Sequence, residues 1–165
     1  MERACCGVIV AAGSSSRMGC AKQFLPLLGE PAIAWTLRAF ERAETIDSLV
    51  LVIREEDRNA MQEIAARCGV TKPLRFVQGG TERQLSVRAG LLAAPPETGR
   101  IAVHDGARAL ITPDEIDAAV RTAGESAGAA LAVRVKDTIK EADENGWVLS
   151  TPARESLWAV QTPQV

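Results

Sequence analysis

Apolar residues fall along this chain in short, nearly unbroken runs. They are GVIVAA (7–12), SLVLVI (48–53), LRFVQ (74–78), RIAVH (100–104) and AALAVRV (129–135). Each has strand length and carries β-branched residues. Near-continuous apolarity marks strands covered on both faces, as in a parallel sheet. Between the runs the period lengthens to that of a helix. PAIAWTLRAFERA (31–43) opens on Pro31, which a first helical turn tolerates. EEDRNAMQEIAARCG (55–69) ends on Gly69, a suitable residue just past a helix end. TERQLSVRAGLLAA (81–94) and TPDEIDAAVRTAG (112–124) open on Thr81 and Thr112, with Gln84 and Glu115 at capping-box spacing. Strand–helix alternation of this kind predicts an α/β sandwich built on right-handed crossovers.

KDTIKEADENGWVLSTPAR (136–154) breaks the rhythm. Two short strand-like pieces, DTIKEA and WVLST, flank DENG, and Asn145-Gly146 is a strong tight-turn signal. A hairpin here would project from a parallel sheet as an arm at about 136–157. Such arms often pair with another subunit, so a homodimer through the arm is expected. No internal repeat, linker or low-complexity tract divides the sequence, and residues 1–165 are expected to form a single domain.

Composition sets the bounds. The chain has 165 residues, 47% hydrophobic and 24% charged, which suits one domain with a buried core and argues against disorder. A net charge of −2 lacks the basic excess of a general nucleic-acid binder but allows a local pocket for a small anion. No apolar run approaches the ~20 residues of a membrane span. MERACCGVIV runs into a strand with no separate signal region. Cys5, Cys6, Cys20 and Cys68 show no CxxC spacing, and with 1 histidine in the chain a zinc site is not expected. The cysteines read as reduced thiols in the core or on the surface of a cytoplasmic protein.

The candidate chemistry gathers where strands end. AAGSSSRMGCAK (11–22) leaves the first strand through residues with almost no side chain, then places Arg17 and Lys22 in the same loop. In open α/β sheets, ligands bind beyond the carboxyl ends of the strands. Glycine and serine let the backbone approach a ligand, and successive N–H groups can cradle an anion. Arg17 would add a bidentate fork and Lys22 a point charge. The alternative is an exposed loop with incidental cations. The spacing is neither GxxxxGK[ST] nor GxGxxG. HDGAR (104–108) ends another strand. Asp105 there is a natural Mg²⁺ ligand, since magnesium uses one or two carboxylates plus substrate phosphates; it could equally cap a turn. His104 is better read as packing at the sheet edge than as a general base, because phosphoryl-type transfer needs positioning and charge more. GGTERQLSV (79–87) leads into a helix whose first turn carries Arg83, Gln84 and Ser86. These could read the edge of a base or form an ordinary strand–helix turn.

AAGSSSRMGCAKQFLPLLGEP, GGTERQLSVRAGL, HDGARALI, VKDTIK and LWAVQTPQ, taken in order and spacing, resemble the 2-C-methyl-D-erythritol 4-phosphate cytidylyltransferases of non-mevalonate isoprenoid synthesis. The resemblance runs from residue 7 to 164. It implies a Rossmann-like α/β fold, with a mostly parallel sheet, helices on both faces and the projecting arm. It also implies a reaction joining CTP to a sugar-alcohol phosphate with release of pyrophosphate, with no covalent enzyme intermediate. Carried over by motif, Arg17 and Lys22 would stabilise the pentacoordinate α-phosphate. Ala11, Ala12, Gly13 and Ser14 would hug the nucleotide. Gly80, Arg83 and Ser86 would lie against CTP, with Gly80 and Ser86 at the cytosine. Asp105 would hold Mg²⁺. Arg108, Thr138 and Arg154 would face the sugar phosphate, the last two reaching across from a partner's arm. No nucleic-acid or membrane partner is implied.

The sequence departs from the family at several points. Ala21 stands where the family usually has Pro before the lysine. Gly106 and Ala109 replace an alanine and a proline in the aspartate turn, which is expected to loosen it. Ala153 stands where the family tends to carry Asp. The sequence stops at Val165, just after QTPQ, where family members continue with more helix and strand, including a substrate-binding lysine. The chain is therefore expected to lack a C-terminal segment. Two functions stay open: an active cytidylyltransferase, for methylerythritol phosphate or for ribitol 5-phosphate, and a weakly active CTP-binding fragment of a longer enzyme.

Overall fold

The computed structural model describes residues 4–13 and 21–165. All five apolar runs are strands: β1 Cys5–Val10, β4 Ser48–Ile53, β5 Leu74–Gln78, β6 Arg100–Asp105 and β7 Ala130–Arg134. A sixth, β10 Trp158–Gln164, joins them, giving the sheet order β5-β4-β1-β6-β10-β7. β5, β4, β1 and β6 pair in parallel, while β10 runs antiparallel between β6 and β7. β10 is not expected from its sequence. Three of the seven residues of WAVQTPQ are polar, and Pro163 removes a donor from the ladder, which argues against an internal strand. The expectation of two covered faces fails at β7. That strand ends the sheet, and Val133 is 55% exposed.

The helices lie on both faces: α1 Ala32–Arg42, α2 Arg58–Arg67, α3 Arg83–Ala93 and α4 Pro113–Glu125. Strand alternation decides which side chains each helix meets. Cys5, Ile9 and Ala11 face α1, α2 and α4, joining Ile33, Leu37, Phe40, Met61 and Ile116 in the larger core. Cys6, Val8, Val50 and Val52 face the other way, toward α3. Burial pushes the Cys5 thiol up to about 12 and raises those of Cys6 and Cys68, so these three behave as small apolar residues rather than nucleophiles. Cys20 lies outside the described residues.

The capping boxes fare unequally. At α4 the Thr112 hydroxyl accepts from the Glu115 N–H and the Glu115 carboxylate accepts from the Thr112 N–H, as expected. At α3 the cap is Glu82 and not Thr81. The Gln84 amide donates to the Glu82 carboxylate, so it is not free to reach back to a threonine. α4 is also pinned to the α1–β4 connection. Buried Asp117 accepts from the backbone N–H groups of Glu44 and Thr45 and from the Thr45 hydroxyl.

Two small hairpins stand outside the sheet. The arm is present, with β8 Glu141–Ala142 paired to β9 Val148–Ser150. Its strands are shorter than expected. Its turn closes by a Gly146 N–H to Asp143 carbonyl bond, with Asp143 Oδ1 accepting from Asn145 and Trp147. The other hairpin pairs β2 Pro26–Leu27 with β3 Glu30–Pro31. Its turn residues are Leu28 at φ +52° and Gly29 at φ +82°. A left-handed pair is what a two-residue hairpin turn needs, but a leucine there is strained. Leu28 is 87% exposed and gains little from packing. Leu28→Asn is therefore expected to raise stability by roughly 0.5–1 kcal/mol, read as a higher urea midpoint at unchanged m-value. An unchanged or lower midpoint would show that the leucine is held by contacts worth more than the strain.

Candidate functional site

The carboxyl ends of β1, β5 and β6 deliver the candidate residues to one edge of the sheet. Ala11, Ala12 and Gly13 follow β1, and the Ala11 N–H donates to the Val52 carbonyl, holding the exit against β4. Ser14 and Arg17 lie outside the described residues. Lys22 is described and exposed, in a single 3₁₀ turn over Lys22–Phe24. Beside it is a residue that sequence reading passed over. Gln23 is 3% exposed, and its Nε2 donates to the carbonyls of Ala11 at 3.0 Å and Gly13 at 3.5 Å. This amide ties the residue after Lys22 to the end of β1, so the loop is closed across its base. Lys-Gln-Phe is in the sequence, but a polar residue next to a cation gives no sign that it will be buried.

After β5 the chain must pass close to β1. A Cβ on Gly79 would stand 2.3 Å from Ala12 Cβ and 2.8 Å from Ser86 Oγ, so only glycine fits. The Gly80 N–H donates to Ser86 Oγ at 3.1 Å, and Ser86 is 3% exposed. The loop and the first turn of α3 thus form one hydrogen-bonded unit packed on Ala12. Arg83, the first residue of α3, reaches β6: its guanidinium meets Asp105 Oδ1 at 2.9 Å. Arg108 takes the other oxygen, Nε to Oδ2 at 3.2 Å, and its Nη1 donates to Gln161 Oε1 on β10. Arg83, Asp105 and Arg108 therefore stand together, each partly exposed, which is a charged and exchangeable cluster rather than a buried staple.

The turn after β6 is not loosened by glycine, contrary to expectation. The Gly106 N–H donates to the Val10 carbonyl, and its own carbonyl accepts from Thr36 Oγ1 at 3.0 Å. A Cβ there would meet Ile33 Cδ1 at 2.8 Å and Ala11 Cβ at 3.2 Å. Gly106 lets this turn press against β1 and α1. His104 is fully buried beside Phe40, ring centroids 5.2 Å apart, in keeping with a packing role. Burial lowers its pKa from 6.5 to about 4, so the ring is neutral at physiological pH. Nε2 lies 3.3 Å from the Arg108 carbonyl, and Nδ1 lies 3.0 Å from the Thr162 hydroxyl, so both ring nitrogens are paired.

Beside the cluster opens a cleft of about 750 Å³. Lys22, Arg108, Glu115, Gln161 and Thr162 are among its polar lining residues, and Leu25, Leu110 and Val133 are among its apolar walls. Among the described residues, then, Lys22 and Arg108 line one space; Asp105 is bonded to Arg108 but is not among the lining residues, nor are Ala11, Ala12, Gly13, Gly80, Arg83 and Ser86. Thr138 and Arg154 are not among the residues lining that cleft. Thr138 precedes β8, and Arg154 follows β9 with its Nη1 donating to the Lys136 carbonyl at the base of the arm.

Comparison with known proteins bears on the family and the fold. The family model "IspD: 2-C-methyl-D-erythritol 4-phosphate cytidylyltransferase" matches residues 5–165. The 2-C-methyl-D-erythritol 4-phosphate cytidylyltransferase of Pelotomaculum thermopropionicum is 47% identical over 160 residues, covering 95% of this chain and 67% of the relative. That of Halalkalibacterium halodurans is 46% identical over 159 residues, covering 95% and 69%. Among solved structures, the 4-diphosphocytidyl-2C-methyl-D-erythritol synthase of Anaerococcus prevotii superposes with a TM-score of 0.88 at 30% identity. It is matched over 98% of this chain and 69% of that one. A match along nearly the whole chain, on a fold that brings the motif residues to one sheet edge, identifies the chain as a member of the 2-C-methyl-D-erythritol 4-phosphate cytidylyltransferase family.

Proposed function

We propose that this protein transfers CMP from CTP to 2-C-methyl-D-erythritol 4-phosphate, giving 4-diphosphocytidyl-2-C-methyl-D-erythritol and pyrophosphate. An oxygen of the acceptor phosphate attacks the α-phosphorus of CTP. A new P–O bond forms as the bond from the α-phosphorus to the bridging oxygen breaks, and pyrophosphate leaves with that electron pair. The observation that carries this reading is that Lys22 and Arg108 line one cleft, with Asp105 paired to Arg108 in a turn that glycine lets approach β1.

The reaction asks the protein for positioning and charge. Ala11, Ala12, Gly13 and Ser14 line the nucleotide with backbone. Gly80 and Ser86 meet the cytosine, and Arg83 the nucleotide's phosphates. Arg17 and Lys22 stabilise the negative charge that gathers on the α-phosphate oxygens in the transition state. Arg108 holds the acceptor phosphate, with Thr138 and Arg154 supplied by the arm of a second subunit. That homodimer is supported by the arm's exposed apolar surface, with Trp147 at 74% and Leu149 at 65%. Adjacent buried thiols at Cys5 and Cys6 support a cytoplasmic setting.

Mg²⁺ fits the donor set in one way. Among the described residues no group of three His, Cys, Asp or Glu side chains could enclose a metal. Asp105 offers a hard, partly exposed carboxylate, which suits an ion sharing its remaining sites between water and substrate phosphates. Asp105 would hold Mg²⁺, which supplies charge neutralisation on the triphosphate. Arg83 and Arg108, now paired with Asp105, would turn to phosphate oxygens as the carboxylate takes up the ion.

Pyrophosphate release in Mg²⁺ and CTP, with 2-C-methyl-D-erythritol 4-phosphate or ribitol 5-phosphate in parallel, tests the assignment. Release with the first acceptor and not the second is expected. Release with ribitol 5-phosphate alone, or with neither while CTP still binds, would overturn it.

A further inference from the structure

Lys22 carries an exposed side chain on an anchored backbone. In its 3₁₀ turn the Lys22 carbonyl accepts the Leu25 N–H at 3.1 Å, and the Ala21 carbonyl accepts the Phe24 N–H at 3.0 Å. Phe24 packs against the larger core, and the Leu25 carbonyl accepts the Ala32 N–H at the start of α1. Between Lys22 and Phe24 stands Gln23, whose amide crosses to the carbonyls of Ala11 and Gly13, 12 and 10 residues earlier. Ala11 is itself pinned, its N–H donating to the Val52 carbonyl at 2.7 Å. Both groups that meet the amide are carbonyls, so only a donor fits there. Gln23 is 3% exposed and its bond to Ala11 is buried, so water does not compete for it.

The amide therefore joins the two ends of the candidate nucleotide loop. Ahead of residues 14–20 stand Ala11, Ala12 and Gly13, whose backbone lines the nucleotide in the proposed reaction. After them stands Lys22, which meets the α-phosphate. Backbone and cation serve one triphosphate only if the distance between them is held. The turn's own bonds tie Lys22 to α1, and the Gln23 amide ties it to β1. We infer that Gln23 is a positioning residue for the transfer, setting Lys22 against the backbone that seats the nucleotide. It acts on the seat through its bonds to Ala11 and Gly13, and on the cation through the peptide link to Lys22. This rests on the proposed transfer and on the role given there to Lys22, and adds a residue that touches neither substrate.

Steady-state pyrophosphate release with 2-C-methyl-D-erythritol 4-phosphate and calorimetric titration of CTP, both in saturating Mg²⁺, separate the two effects. Gln23→Met keeps the length and removes both donor hydrogens. Affinity for CTP should fall about threefold to tenfold, the worth of one hydrogen bond. The kcat should fall roughly tenfold to a hundredfold, the cost of a misplaced charge. In a Lys22→Ala background the same substitution should leave kcat where Lys22→Ala put it, because the cation it positions is gone. It should still cost affinity there, because the seat remains. A purely structural role would lower both measures in both backgrounds. A thermal melt establishes that each variant is folded, and if Gln23→Met does not fold, Gln23→Leu carries the same expectations. Wild-type kcat or affinity in a folded Gln23→Met variant, or a further fall in kcat in the Lys22→Ala background, would overturn the inference. Wild-type kcat in Lys22→Ala would instead overturn the role of Lys22, and the inference with it. No release from the unaltered protein would overturn the proposed transfer, on which both rest.

Discussion

Lys22→Ala is expected to lower kcat/KM for CTP roughly 10²–10³-fold while moving the thermal midpoint by no more than about 1–2 °C. Lys22 is exposed, and an exposed charge contributes little to folding. In the proposed reaction it has another use. As the acceptor oxygen closes on phosphorus, negative charge gathers on the α-phosphate, and a cation already in place lowers that barrier without reorganising. The loss should fall on kcat more than on CTP affinity, since the charge it meets develops in the transition state. Steady-state kinetics with a parallel melt separate the two. A fall in stability matching the fall in turnover would assign Lys22 to the fold instead.

The second large effect is on stability against pH. Burial lowers the His104 pKa from its ordinary 6.5 to about 4. Above pH 6.5 the ring is neutral in both states and the stability is complete. Between 6.5 and 4 the unfolded chain takes up a proton that the folded chain refuses, so stability falls as pH falls. By pH 4 this one group has removed about 3 kcal/mol, and below that it removes no more. The charged neighbours act in opposite directions: Asp105 favours the protonated ring and Arg108 opposes it, while burial outweighs both. Denaturant midpoints from pH 7.5 to 4.5 should trace this slope. The chain has 1 histidine, so its ring resonance is unambiguous by NMR. A native-state midpoint near 6.5 would refute the expectation, and a ring still neutral at pH 5 would support it.

Much of the fold is legible because it rests on local pattern. β1, β4, β5 and β6 announce themselves as apolar runs since both faces are covered, and α4 carries its cap in its first residues. What stays hidden depends on partners distant in sequence. WAVQTPQ becomes a strand because β6 and β7 flank it, not because its composition favours one. The hairpin around Leu28-Gly29 lacks the Asn or Asp that would signal it, so the structure bears a strain that the sequence does not advertise. At the candidate site, Lys22, Asp105 and Arg108 stand out by charge and by their place after strands. Gln23 and Thr162 do not, because each bonds backbone, and a buried amide or hydroxyl looks ordinary until its partners are seen. His104 is the converse case: a residue conspicuous by type whose burial removes it from proton chemistry.

The strand order also dictates a sequence of events during synthesis. β5, β4, β1 and β6 can zip together as soon as β6 has left the ribosome, since each pairs with a strand already made. β7 cannot follow at once. Among the described residues its ladder partner is β10, which lies beyond the whole arm in sequence. Until residues 158–164 emerge, β7 and the arm hang from a half-built sheet with the β6 edge bare, a window in which strand edges invite wrong partners. Insertion of β10 then covers that edge, docks β7 and brings Thr162 to His104, so the turn after β6 is braced only once β10 is in place.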